Sequence, residues 1–327
     1  MSVLVTGGAG YIGSHIVRLL REQKEEAVVV DSLASGDASR VGDVPLAVID
    51  LASEQAPRSL RTFIDQHDVS AVIHLAALKQ VGQSVEQPAR YYRENVGGLA
   101  NVLLAIEGSS VDRFVFSSSA AVYGSPEASP VTEDAPTNPV NPYGQTKLAG
   151  EWLVAAAADA QQLRTASLRY FNVAGAGWPE LADTVPMNLL TLAIDAVHRG
   201  ESPRVFGDDF NTPDGTGVRD YVHVLDLAEA HIRSLNHLAD TDVRSTVLNV
   251  GTGTGASVLE VLDTLSVCSG RTFRPVVQVR RAGDPATVVA DVTRMQEALG
   301  WTARRNLTEM VGSAWEASLL ARPGMAS

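Results

Sequence analysis

The sequence predicts an α/β protein: a doubly wound parallel sheet with a smaller, interleaved C-terminal α/β lobe. Three observations predict it. Short, nearly uninterrupted apolar runs recur through the first half, too compact for surface helices. Amphipathic stretches of helical period separate them, and a glycine-rich turn follows the first run at once. Strands that are apolar on both faces belong to a parallel sheet covered by helices on each side, and right-handed crossovers then wind it in both directions.

The elements follow in order. The run 3–5 (VLV) opens the sheet, and 27–31 (AVVVD), 46–50 (LAVID), 71–75 (AVIHL), 113–117 (RFVFS) and 165–169 (TASLR) repeat its pattern. Helical patterns lie between them, among them 12–23 and 89–106. The second half changes character: 178–186 is irregular, and 207–217 is rich in Asp, Gly and Pro and reads as loop. Strand-like runs return at 245–250 and 273–280, and helical ones at 257–267 and 307–319. The expected division is a dinucleotide-binding domain at 1–175 plus about 221–250, with 176–220 and 251–327 forming the second lobe. The chain shows no internal repeat and no low-complexity segment.

Composition narrows the function classes. The chain has 327 residues, 45% of them hydrophobic, and a formal net charge of −12. Such an acidic surface repels nucleic-acid phosphates and anionic membranes. The one cysteine, Cys268, has no partner for an intrachain disulfide and reads as a small packing residue, which suits a reducing compartment. No apolar run approaches the roughly 18–20 residues that cross a bilayer, and residues 1–5 show no basic leader. A cytoplasmic protein is the expectation. His74 and His223 read as packing residues, and no cluster has metal-ligand spacing, so no metal is expected.

The first strand runs into TGGAGYIG, with glycines at 7, 10 and 13. Gly7 permits the tight turn, Gly10 lets backbone approach a pyrophosphate, and Gly13 lets helix pack closely on strand. The helix beginning there, through Tyr11 and Ile12, points its free N–H groups and positive end at phosphate. Asp31 closes the second strand 18 positions after Gly13. A carboxylate there accepts both ribose hydroxyls and repels a 2′-phosphate, so the Rossmann-type site favours NAD over NADP. Asp50, at the end of the third strand, is either an adenine partner or a plain turn residue.

A second constellation carries chemistry. The serine run Ser117-Ser118-Ser119 follows the fifth strand, at the carboxyl edge where such sheets bind ligands. Downstream, Asn141-Pro142-Tyr143 opens a helix on which Tyr143 and Lys147 lie four apart, on one face. A phenol of ordinary pKa near 10 is a poor base at neutral pH. A fixed ammonium beside it, with a cationic nicotinamide, is expected to favour the phenolate. Ser119 would hold the substrate oxygen that loses its proton.

With these residues the chain resembles the extended short-chain dehydrogenase/reductase family, and within it the UDP-glucose 4-epimerase group. The resemblance spans nearly the whole chain: LVTGGAGYIGSH, HLAALKQVGQSVEQP, FSSSAAVYG, NPYGQTK, RYFNVAGA, PDGTGVRDYVHVLDLAEAH and RRAGDP. It implies bound NAD that is used and restored in each turnover, with inversion at C4 of a UDP-hexose through a transient 4-keto sugar. Tyr143 would take the 4-hydroxyl proton, and Lys147 would also hold the nicotinamide ribose. The same resemblance implies that Leu51, Lys79, Asn95 and Tyr170 line the cofactor or its approach. Phe171 and Asn172 would abut the sugar and its phosphates. Asn188, Phe206, Arg219, Arg281 and Asp284 would bind the UDP group, where arginine forks suit diphosphate oxygens. A homodimer is implied too, its seam formed by the helices that follow Ala89 and Tyr143.

Relatives that dehydrate nucleotide sugars carry an Asp-Glu pair in the serine run, and here Ser119-Ala120 stands instead. Two departures from the epimerase pattern bear on the substrate. The stretch between Ala176 and Pro186 is short and lacks the usual acidic, glycine-rich loop. Val288 stands where epimerases restricted to unsubstituted sugars often carry a bulky Tyr, leaving room for a 2-acetamido group. UDP-N-acetylglucosamine or another modified UDP-sugar is therefore expected as a substrate. The competing classes are a net oxidoreductase or decarboxylase on a nucleotide sugar, a secondary-metabolism epimerase, and a non-catalytic NAD-binding regulator.

Overall fold

A computed structural model of the chain describes residues 2–183, 185–281 and 283–321. Its main sheet has seven parallel strands: β1 (Ser2–Thr6), β2 (Glu26–Asp31), β3 (Leu46–Val48), β4 (Val69–His74), β5 (Arg113–Ser117), β6 (Arg164–Tyr170) and, after an excursion, β10 (Ser245–Val250). Their order across the sheet is β10-β6-β5-β4-β1-β2-β3. The winding reverses at β1, where Val5 pairs with Val29 on one side and Ile73 on the other. Ligands bind such sheets at that reversal, outside the carboxyl ends of the strands.

Strand parity builds the two faces. Val3 and Val5 point to one side, against Ile16, Val17 and Leu20 of the Tyr11–Glu22 helix and Leu227, Ile232 and Leu235 of the Val224–His237 helix. Leu4, Val28 and Val30 point to the other, against Leu60 and Ile64 of the Ala56–Gln66 helix and Val102 and Ile106 of Gly98–Ile106. Each fully buried aliphatic side chain contributes about 1.5–3 kcal/mol, so near-continuous apolar strands are what a doubly covered sheet requires.

The second lobe has its own core, with Leu190, Ile194, Val261, Leu262, Met310 and Trp315 among its members. Four short strands make its larger sheet: β7 (Asn172–Ala174), β9 (Val218–His223), β11 (Gly255–Ser257) and β13 (Thr287–Val288). A two-stranded ribbon joins β8 (Arg204–Phe206) to β12 (Val276–Gln278). The chain crosses between the lobes repeatedly: β7 follows β6 directly, β10 returns to the main sheet, and Met295 and Trp301 pack into the first core.

The six expected strands of the first half are present, with ends shifted by one to two residues. The third stops at Val48, because Asp50 turns back to accept the Ala52 N–H at 2.9 Å. The expected helix at 89–106 breaks into Pro88–Tyr91, a π-helical turn at Tyr92–Gly97 and Gly98–Ile106. The expected strand at 273–280 shrinks to three exposed residues. The Leu189–His198 and Val224–His237 helices and the strands β7, β8, β9, β11 and β13 were not anticipated. The short strands carry too few residues for a period to show. Among the described residues no helix is long and apolar enough to cross a membrane, and no group of three or more His, Cys, Asp or Glu is placed to hold a metal.

Candidate active site

The glycine turn takes the form its spacing requires. Gly7 has φ +72°, a left-handed conformation that a side chain disfavours, and a Cβ on Gly13 would stand 2.2 Å from the Gly7 carbonyl oxygen. Gly10 caps the Tyr11–Glu22 helix without a side-chain hydrogen bond, and the first turn holds no acidic residue. Ser14 N–H is the first to bond back, to Gly10 O at 3.0 Å, so the amides of Tyr11, Ile12 and Gly13 lead the helix. The Asp31 carboxylate accepts Ala9 N–H at 3.1 Å and Leu33 N–H at 2.8 Å. Each oxygen keeps a lone pair for a ribose hydroxyl, and no basic residue stands at 32–36 to receive a 2′-phosphate. An uncapped helix end and a carboxylate facing it fit a dinucleotide without a 2′-phosphate, as NAD is.

Other residues expected at the cofactor fall into different roles. Leu51 is buried beside this edge, whereas Lys79 is exposed and Asp50 serves as an exposed turn cap. Asn95, on the π-helical turn, is buried with its amide already used. Its Oδ1 accepts Leu78 N–H at 2.7 Å, and its Nδ2 donates to Leu78 O and Thr146 Oγ1, both at 3.0 Å. It braces the strand end against the catalytic helix instead of offering a free amide.

Tyr143 and Lys147 stand in the first turns of the Pro142–Gln161 helix. Asn141 caps that helix by accepting Gly144 N–H at 2.9 Å, and Pro142 occupies its first position. Both functional side chains are buried. The Ser119 hydroxyl stands by the Tyr143 phenol, and its Oγ accepts Ala121 N–H at 3.2 Å. Burial raises the Tyr143 phenol above its ordinary value, and the nearby Ser119 hydroxyl only partly opposes this. The expected lowering by the Lys147 ammonium does not occur within the chain alone. Lys147 Nζ donates to Ser117 O at 2.7 Å and lies 6.0 Å from the centre of the Tyr143 ring. Burial brings Lys147 down to about 8, against the opposing pull of Glu151.

Each serine of the run has its own task. Ser117 gives its carbonyl to Lys147 and its hydroxyl to His231 Nε2 at 2.6 Å; His231 Nδ1 meets Leu227 O at 2.8 Å. Ser118 donates to Glu151. Glu151 is held by Arg169 through Nη2 at 2.7 Å and Nε at 2.9 Å. Arg169 continues to Tyr123 Oη and Glu133 O, both at 3.0 Å, and Tyr123 donates to Asn249 Oδ1 at 2.7 Å. Burial alone would lower the Arg169 guanidinium, and Glu151 more than reverses it.

The second lobe closes the other side. Tyr170 ends β6 with its phenol pushed well up by burial and by the nearby Tyr143, and Phe171 is buried in a cluster with Val122 and Tyr123. Val288 packs on that cluster and pairs in register with Arg219. Asn172 pairs in register with Tyr221, and its side chain partly offsets the rise that burial gives the Tyr221 phenol. Arg219 is half-buried and faces Asp284; burial lowers it and Asp284 pulls it back. Arg281 lies 4.0 Å above the Phe206 ring. Asn188 caps the Leu189–His198 helix, its Oδ1 accepting Thr191 N–H at 3.0 Å. The structure therefore brings Arg219, Asp284 and Val288 together, with Arg281 on Phe206, and leaves Asn188 at the rim as a helix cap.

Comparison with known proteins agrees with this geometry. The family model described as "NAD dependent epimerase/dehydratase family" matches residues 3–251. The chain belongs to the NAD dependent epimerase/dehydratase family. It is 43% identical to a UDP-glucose 4-epimerase of Azospirillum brasilense, over 99% of this chain and 94% of that one. Among solved structures it matches UDP-glucose-4-epimerase from Stenotrophomonas maltophila with bound NAD and formylated UDP-arabinopyranose. That match has TM-score 0.92 and 40% identity, covering 99% of this chain and 100% of that one. It also matches a UDP-Glc/GlcNAc 4-epimerase from Campylobacter jejuni, with TM-score 0.85 and 32% identity over 98% of this chain and 99% of that one.

In this epimerase/dehydratase family member, Glu151, Arg169, His231 and Asn249 support the site and were not singled out from sequence. Glu151 carried a signal, since it extends the spacing of Tyr143 and Lys147 by four more residues along one helix face. Asp220 carried none. It accepts N–H bonds from Thr252, Gly253 and Ala290 at 2.8–3.1 Å and so ties β9 to the end of β10.

Proposed function

We propose that the protein is a UDP-sugar 4-epimerase with bound NAD, an isomerase acting on a UDP-hexose. One observation carries the reading. Tyr143, Ser119 and Lys147 converge at the carboxyl edge of the sheet, between the uncapped helix end and the arginines of the second lobe. NAD, when bound, would supply a hydride acceptor and donor for oxidation and reduction at C4 of the sugar.

The chain's own residues do the remaining work. Tyr143 Oη takes the proton of the sugar 4-hydroxyl and returns it, and Ser119 Oγ holds that oxygen in line. Lys147, lowered by its burial to about 8 and so still mostly protonated at neutral pH, keeps a positive charge beside the nicotinamide ribose site while Ser117 O, not the phenol, takes its hydrogen bond. Arg219 and Arg281 hold the diphosphate, leaving the 4-keto sugar free to turn between the two hydride steps. Incubation with UDP-galactose and no added cofactor tests this: UDP-glucose should form, and mass spectrometry of the denatured enzyme should release NAD. Formation that requires added NAD or NADH would indicate net redox chemistry instead.

Val288 favours a second substrate class. A valine beside Phe171 leaves space that a larger ring would fill, which supports acceptance of UDP-N-acetylhexosamines. The division proposed is 1–175 with about 221–250 for the cofactor, and 176–220 with 251–327 for the nucleotide sugar. A cytoplasmic homodimer completes the proposal. Its seam is supported by exposed apolar side chains on neighbouring helices, with Trp152 66% and Leu104 58% exposed and Tyr92 bonded to Gln145 across the pair.

A further inference from the structure

The stretch between Ala176 and Pro186 reads in the sequence as short, and 178–186 as irregular; most of it falls in the segment 175–182. In the structure that segment is fastened along its length to the dinucleotide-binding elements. Tyr11, His15 and Arg18 are spaced four and three residues apart on one face of the Tyr11–Glu22 helix, and all three reach it. Tyr11 Oη donates to Gly175 O. His15 Nε2 accepts Gly177 N–H at 3.0 Å while Nδ1 meets Tyr11 O at 2.8 Å, one tautomer serving both bonds. Arg18 lies 5.3 Å from the centre of the Trp178 ring. From the far side Arg40 donates to Leu181 O at 3.3 Å and to Ala182 O at 2.6 Å.

Both arms of this clasp come from the cofactor site. The helix carrying Tyr11 and His15 is the one whose leading amides face the diphosphate position. Arg40 follows Asp37, whose N–H bonds Ala9 O at 3.1 Å in the glycine turn, and the same loop begins at Asp31. The clasped segment in turn joins Asn172, on β7, to Asn188, at the head of the Leu189–His198 helix. Its backbone has no slack. A Cβ on Gly177 would stand 2.5 Å from Leu225, and one on Gly175 would stand 2.6 Å from His223.

We infer that Arg40 and His15 are positioning residues that hold 175–182 as a fixed wall of the nucleotide-sugar site, anchoring the substrate side to the cofactor side. The inference rests on the epimerase reading, since it assigns that wall to a UDP-sugar. Main-chain carbonyls held by a guanidinium do not drift with side-chain rotamers, so the loop needs no length of its own to be ordered.

The test compares Arg40→Ala and Arg40→Lys with the unsubstituted, NAD-loaded enzyme. Hydrogen exchange of the 175–182 amides should rise about tenfold in Arg40→Ala, with exchange in β1 and β2 unchanged. UDP affinity by calorimetry and KM for UDP-galactose should worsen about tenfold while kcat changes less than about twofold, and Arg40→Lys should recover most of the loss. Unchanged exchange in 175–182 overturns the clasp. Raised exchange with unchanged UDP affinity overturns its positioning role. An unsubstituted enzyme that binds no UDP overturns the functional reading and this role with it, a result visible before any substitution is made.

Discussion

The floor of the active site and its mouth are built on opposite principles. Behind Lys147 the polar groups are buried and mutually satisfied: Ser118, Glu151, Arg169, Tyr123 and Asn249 complete one another. At the mouth, Arg281 is exposed and rests on an aromatic ring, and Arg219 has Asp284 nearby but no carboxylate bond at close range. A group that must keep its geometry through a proton transfer is held by partners in low dielectric. A group that must bind a charged ligand keeps donors to spare.

The largest expected effect sharpens the floor. Tyr143→Phe should lower turnover by about 10²–10⁴-fold, the usual worth of a positioned acid–base group, while NAD stays bound. Product assay together with cofactor mass spectrometry checks it, and retained turnover would remove Tyr143 as the base. Next, Arg169→Ala leaves Glu151 buried without its partner and should cost about 3–5 kcal/mol of stability in chemical denaturation. Replacing both residues with apolar ones of similar volume should cost much less, because the unpaired charge causes the loss.

The mouth should respond in binding instead. Arg281→Ala should weaken UDP by about 1.5–3 kcal/mol, the range for hydrogen bonds to charged groups, with stability unchanged. Val288→Tyr should reduce turnover of UDP-N-acetylgalactosamine by about tenfold or more relative to UDP-galactose, read from the ratio of kcat/KM. Equal losses on both sugars would show that the residue does not discriminate at C2.

The broadest effect is in pH. Burial lowers His15 and His231 to about 4 and His74 and His223 to about 3, from an ordinary value of 6.5. The unfolded chain thus binds more protons than the folded one between about 6.5 and 3. The stability these residues contribute is present above pH 6.5 and is lost progressively as pH falls. Tm measured across pH 7 to 4 should fall, and His231→Asn should flatten part of that slope.

How much was legible in the sequence differs between the same two regions. The glycine turn, Asp31, Ser119, Tyr143 and Lys147 sit at fixed spacings within single elements, so a local pattern placed them. Asp50 takes the turn-capping bond to Ala52 that the sequence offered as one of its two readings, whereas the bonds of Asn95 to Leu78 and Thr146 depend on neighbours 17 and 51 residues away. The expected influence of Lys147 on Tyr143 failed for a similar reason: spacing of four puts them on one face, but Ser117, thirty residues earlier, captures the ammonium.

By itself the sequence determined the parallel sheet, the glycine turn suited to a dinucleotide and the placing of phenol and lysine on one helix face, because periodicity and loop chemistry are local properties. The acidic charge of −12 argues against nucleic acid as a partner, and it leaves room for arginines gathered at one edge. Tertiary structure alone decided what Ser117 and Ser118 bond to, which arginine is buried as a brace and which is left for a ligand, and how a short irregular segment becomes a wall. Those outcomes are set by burial and by contacts such as those between residues 18 and 142 positions apart, which no local spacing encodes.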